Sequence, residues 1–158
     1  MSTDGRGGVS PPVALAFAAV GFFALLIAGF GILSLMSGAE VVDAPELGQL
    51  PGILGTILAV AGFTVTLWGV LRRARPSYVG VIGVIVAVLA GYLLGLLVGA
   101  LVQGADPARA VGVAAGFAGS WFALLLAAAA LVGGWGGVAL VRTRARRPQW
   151  PWEHDDEE

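Results

Sequence analysis

The stretch GVIGVIVAVLAGYLLGLLVGALVQ, Gly80 to Gln103, decides the fold. It carries no Asp, Glu, Lys, Arg or His, and an apolar run longer than ~18 residues is solvated by a bilayer rather than by a soluble core. Working outward, the third apolar segment is Tyr78 to Val102, and three more flank it: Pro12 to Met36, Pro51 to Leu71, and a long one from Ala108 to Val141. The chain of 158 residues is 58% hydrophobic and 12% charged, with a mean hydropathy of +0.88. Soluble domains run nearer ~45–50% and ~25%. The expected fold is therefore all-α: four transmembrane helices in an antiparallel bundle of two hairpins over residues 12–141 (12–36, 51–71, 78–102, 108–141). A short N-terminal segment, 1–11, precedes it, and a tail, 142–158, follows.

The segment starts are marked independently. Ser10-Pro11-Pro12, Leu50-Pro51, Pro76-Ser77 and Asp106-Pro107 each place proline where a helix begins, because the first turn has no use for the missing N–H. Asp106 and Ser77 are natural N-caps. Ser37-Gly38-Ala39 has the look of a signal-peptide cleavage site, but the apolar run before it exceeds the ~7–15 residues of a signal h-region, so the first span is read as retained. The last segment is too long for one straight span. Either its first turns stand outside the membrane, or it bends at Gly133-Gly134-Trp135-Gly136-Gly137, where glycine weakens a helix and Trp135 can anchor among headgroups.

Arginine sets the orientation. All nine basic residues are Arg, and seven of them gather after the second span, at Arg72, Arg73 and Arg75, and after the fourth, at Arg142, Arg144, Arg146 and Arg147. The connection after the first span holds only Glu40, Asp43 and Glu46, and the one after the third sets Asp106 against Arg109. The positive-inside rule then puts both termini in the cytoplasm and the acidic loop outside a plasma membrane. The tail turns from basic to acidic. Its arginines, with Trp150 and Trp152, suit a headgroup interface, while its carboxylates are repelled from one.

What the spans lack narrows the function. Intramembrane Asp, Glu, Lys, Arg or His mark ion pathways and proton relays, and within these bounds the one such residue is Arg109, at the second position of the fourth segment beside its Asp106-Pro107 start. The single histidine, His154, is in the tail, so no haem or metal ligation is expected, and no cofactor. Cysteine is absent, which removes thiol chemistry. Spans without an acid, base or nucleophile cluster argue against an enzyme and leave no catalytic residue to name. No basic surface interleaved with aromatics points to nucleic acid. The hydroxyls, Ser34, Thr56, Thr64, Thr66 and Ser120, are read as bonding to their own helix or a neighbouring one. Tyr92, a phenol in mid-span, should seek a partner.

Small residues supply the positive signal. Gly83, Ala87, Gly91, Gly95 and Gly99 recur at every fourth position, and Gly55, Gly62 and Gly69 at every seventh. At ~100° per residue, seven residues fall only ~20° short of two turns, so the second row stays on one face. Four residues overshoot by ~40°, so the first row should meet a partner over only two or three members, in a right-handed crossing. The heptad row is therefore expected to be the full-length seam, with Gly62→Leu more disruptive than Gly91→Leu. Ala115, Gly119, Ala123 and Ala127 offer a partner row in the fourth segment.

The tail RPQWPWEHDDEE, the arginine-only basic usage and the four-span plan resemble small uncharacterised membrane proteins of high-GC actinobacteria. That resemblance implies no established activity and transfers no site. The functional expectation is a non-enzymatic membrane protein whose surroundings are the lipid bilayer and either a membrane-protein partner or further copies of itself. It would act as an accessory or scaffold component through helix contacts. An oligomeric channel or small-solute transporter is the alternative.

Overall fold

The structure is a computed structural model that describes residues 9–42, 44–72 and 78–142. Among these the chain is all-helical: α1 (Pro11–Ser37), a single 3-10 turn (Pro45–Leu47), α2 (Leu50–Leu71), α3 (Gly80–Val102), α4 (Pro107–Ala118) and α5 (Trp121–Arg142). Four of them, α1, α2, α3 and α5, are long and apolar enough to cross a membrane, which makes this a multi-pass integral membrane protein. They run alternately up and down. One end of the bundle carries Glu40 and Glu46, and the other carries Arg72 and Arg142.

Local chemistry explains the helix ends. Proline occupies the first turn of α1, α2 and α4. Asp106 caps α4, its side chain accepting the Arg109 N–H at 3.0 Å, which ties down one of the helix's orphan donors. The second expected cap, Ser77, lies outside the described residues. α1 stops at Gly38, which adopts a left-handed φ of 65° that a side chain would resist, and returns its N–H to the Ser34 carbonyl at 2.9 Å.

The long fourth segment is two helices, not one. The chain breaks at Gly119-Ser120, where the Ser120 N–H (2.9 Å) and the Ser120 hydroxyl (2.7 Å) both donate to the Phe117 carbonyl. The hydroxyl thereby takes up an acceptor that helix continuation would have used. The bend proposed at Gly133–Gly137 does not occur: α5 runs through it unbroken. There the glycines serve contact, because a Cβ on Gly133 would lie 3.1 Å from Phe22 and Phe63, and one on Gly137 would lie 3.0 Å from Ala18.

The core is apolar from end to end. Phe22 of α1 lies flat on Phe63 of α2, with ring centroids 4.4 Å apart and planes 6° from parallel. Leu67, Val88, Leu96, Leu126 and Val138 fill the layers around this pair. Towards the acidic end, Phe30 meets Tyr92, Phe117 and Phe122 edge-on. The outward faces are apolar as well: Phe17, Val20, Val65 and Leu124 are each more than half exposed. A bundle with apolar residues inside and out fits lipid as its solvent. Its association rests on close packing, since lipid tails are as apolar as leucine.

Candidate functional site: the helix seam and the acidic-end cavity

The tightest approach in the bundle joins α2 and α3. A Cβ on Gly95 would sit 2.5 Å from the Cα and N of Gly55, and one on Gly99 would sit 2.5 Å from the Cα of Pro51. One on Gly91 would come within 2.7 Å of the Leu58 carbonyl oxygen, and one on Gly62 within 2.9 Å of that of Ala87. Gly55 lies 3.2 Å, by the same measure, from the ring and carbonyl of Tyr92. The backbones touch directly because the side chains that would separate them are missing.

This pattern corrects two expectations. Four members of the four-residue row, Ala87, Gly91, Gly95 and Gly99, meet α2, rather than two or three; only Gly83 stands in open space. The α2 positions they meet run from Pro51 to Gly62, three turns over eleven residues. That spacing keeps one face in contact when two helices wrap right-handed. The heptad row, conversely, is not a full-length seam. Gly55 and Gly62 face α3, while Gly69 is exposed with nothing within 4 Å of its added Cβ. The proposed partner row in the fourth segment is cut by the break at Gly119-Ser120: Ala115 and Gly119 are exposed, and Ala123 is buried in α5.

The arginine end is organised by aromatic rings. Trp135, expected as an interface anchor, stacks on Tyr78 with centroids 6.1 Å apart, and the Arg142 guanidinium lies 4.8 Å from the centre of the Tyr78 ring. Arg72 stands 5.6 Å from the Trp68 ring. Such contacts hold a cation over an aromatic face where chain leaves lipid for headgroups. The sequence reading missed Tyr78 and Trp68 as ring partners; Trp68, one turn before Arg72, could have been found by that spacing, whereas Tyr78 and Arg142 stand far apart in the chain and carry no local signal. The other anchor candidates, Arg73, Arg75, Arg144, Arg146, Arg147, Trp150 and Trp152, lie outside the described residues.

The opposite end holds the polar architecture. Arg109 of α4 forms an ion pair with Glu46 of the connection between α1 and α2, each side chain about half exposed. Beneath it, Ala44, Leu47, Ala100 and Ala110 make a small second core that binds that connection to α3 and α4. Gln103 donates to the Leu47 carbonyl at 3.0 Å, and Ser34 donates to the Ala39 carbonyl at 2.7 Å, fixing the connection from both sides. Between the end of α1, this connection and α4 lies an open-sided cavity of about 890 Å³. Leu33, Val113, Phe117 and Phe122 supply its apolar wall, and Glu40, Glu46 and Arg109 its polar rim. A second groove, about 610 Å³, opens between α1 and α2 on the other side of Glu40, with Tyr92 at its base.

The remaining polar groups are structural in geometry. Thr56 and Thr64 donate to the carbonyls four residues back, Gly52 and Val60, at 2.9 and 2.8 Å. Tyr92 is buried, and its ring stacks on Phe117 at 4.3 Å. Among the described residues no three His, Asp or Glu come together as a metal site.

A family model described as "Family of unknown function (DUF6121)" matches residues 11–158, from the start of α1 through the tail. No curated protein and no solved structure matches the chain.

Proposed function

For a chain that belongs to this family of unknown function, we propose a non-enzymatic role as an accessory or scaffold component of a membrane assembly, exercised through helix contacts with a membrane-protein partner or with further copies of itself. The observation that carries this reading is the closed interior. The Phe22–Phe63 stack and the leucine and valine layers around it fill the bundle axis; among the described residues no charged side chain is buried, and the phenol of Tyr92 is the one polar group on a buried side chain. A single copy therefore offers no lined passage across the membrane. What it presents to its surroundings is its lateral surface and the polar structure at its acidic end.

We further read the protein as a multi-pass component of the plasma membrane, with both termini cytoplasmic. Support comes from the segregation of charge: Arg72 and Arg142 flank one end of the bundle, and Glu40 and Glu46 the other. The test pairs two measurements. Photo-crosslinking groups at Val65 of α2 and Val86 of α3, both exposed, should capture a membrane protein or a second copy in native membrane. Purified protein in proteoliposomes should pass neither ions nor small solutes. Robust flux, or crosslinks confined to lipid, would overturn the scaffold reading.

A further inference from the structure

We propose that the acidic-end cavity is a lipid site, taking one phospholipid with a zwitterionic, ammonium-bearing headgroup of the phosphoethanolamine type. Position comes first. The cavity lies where α1 ends and α4 begins, and its apolar wall of Leu33, Val113, Phe117 and Phe122 continues onto a lipid-facing surface through Trp121, which is 75% exposed. Its volume, about 890 Å³, falls within the ~300–1,000 Å³ usual for small-molecule sites. Gly112 and Gly116 form part of the wall and leave it low, since an added Cβ at either meets nothing within 4 Å. An acyl chain can therefore enter sideways along α4.

Charge selects the headgroup. Among the described residues three charged side chains stand at the rim: Glu46 and Arg109 neutralise each other, and Glu40 has no hydrogen-bond or ion-pair partner. The described rim thus carries one uncompensated carboxylate, Glu40, and a half-exposed guanidinium, Arg109. A zwitterion answers both, its ammonium reaching Glu40 and its phosphate reaching guanidinium N–H groups of Arg109 that Glu46 leaves free. A phosphoglycerol headgroup shares the phosphate but lacks the cation, and places a net negative charge next to Glu40. A primary ammonium, moreover, has three protons to donate to the carboxylate. The connection bearing Glu40 is held at both ends, by Ser34 on the Ala39 carbonyl and by Gln103 on the Leu47 carbonyl. Glu40, next to the first of these ties, is therefore held close to the end of α1. This inference is independent of the scaffold reading: a bound lipid is compatible with either partner class, and its loss leaves crosslinking from Val65 and Val86 untouched.

The test uses the full chain, delipidated in detergent and titrated with phosphatidylethanolamine or phosphatidylglycerol of identical acyl chains. Bound lipid is counted by native mass spectrometry. The wild type should bind the ethanolamine lipid roughly fivefold more tightly, the factor one exposed ammonium–carboxylate contact supplies in water. Glu40→Gln should bring the two lipids to parity without changing the melting temperature. Gly116→Phe, which fills the cavity from an exposed position, should remove one bound lipid of either kind. Equal affinity in the wild type, a preference that survives Glu40→Gln, or unchanged binding by Gly116→Phe would each overturn the assignment.

Discussion

Gly95→Ala isolates the seam in a single methyl group. Its Cβ would stand 2.5 Å from the Gly55 Cα, the Gly55 N and the Leu54 carbonyl carbon. Ordinary contact begins at 3.4 Å, so α2 and α3 must part locally by about 0.9 Å (3.4 less 2.5). A radial gap of ~0.5–1 Å forfeits a quarter to a half of each pairwise dispersion well, and here the loss falls on every atom pair of the seam at once. Overpacking of this kind costs ~1–3 kcal/mol. Alanine also favours the helix by ~1 kcal/mol over glycine, so the measured effect must be referred to a control that shares this gain. Gly83→Ala is that control: it lies on the same helix, and nothing stands within 4 Å of its added Cβ. Referred to Gly83→Ala, Gly95→Ala should be less stable by about 2 kcal/mol, measured by equilibrium unfolding in mixed micelles as denaturing detergent increases. Agreement of the two variants within ~0.5 kcal/mol, the usual spread of neutral surface changes, would refute the claim that backbone contact holds this pair together.

Other predictions follow the same geometry. Gly62→Leu and Gly91→Leu should unfold at similar denaturant levels rather than Gly62→Leu being the worse, because each drives a side chain onto a carbonyl of the facing helix, at 2.9 and 2.7 Å. Phe22→Ala should lower stability by ~3–5 kcal/mol by emptying the ring stack at the bundle centre, read in the same assay. Arg109→Gln should cost no more than ~1 kcal/mol, since its ion pair with Glu46 is half exposed, and the difference should shrink in high salt. The absence of native cysteine allows orientation to be read directly. An impermeant maleimide applied to intact cells should label Ala39→Cys and spare Ser10→Cys; the reverse pattern would invert the topology.

Much of this architecture was legible because bilayer physics writes itself into sequence. A run of apolar residues opened by proline has few readings, and Pro11, Pro51 and Pro107 lie within a residue of where α1, α2 and α4 begin. The break within the fourth segment was not legible. Gly119-Ser120 is one glycine–hydroxyl pair among many small residues, whereas Gly133–Gly137 looks weaker to any local measure. Tertiary contact reverses that ranking: Phe22, Phe63, Val81 and Ala18 press on the glycine cluster and hold it helical, while an added Cβ on Gly119 meets only its own helix. The acidic-end site escaped for a different reason. Its ion pair joins residues 63 apart in the chain, and nothing local in either loop marks the other as its partner.

Whether a close approach rests on backbone or on side chain decides whether a second substitution can relieve it. A Cβ on Gly80 would meet the Val70 side chain at 2.8 Å, and one on Gly29 would meet the Leu125 side chain at 2.6 Å. In both, the obstructing atoms belong to a group that can be shortened. Val70→Ala should therefore restore most of the stability lost in Gly80→Ala, and Leu125→Ala should do so for Gly29→Ala. Each double-mutant cycle should give a coupling of ~0.5–3 kcal/mol, the range for residues in direct contact. Gly95 and Gly99 have no such remedy, because Gly55 and the Pro51 backbone offer nothing smaller. The α2–α3 seam is then a contact that compensation cannot repair, and a suppressor screen started from Gly95→Ala should return the glycine itself. Recovery of a stable second-site suppressor on α2 would mean that side chains, not backbone, set the distance between these helices.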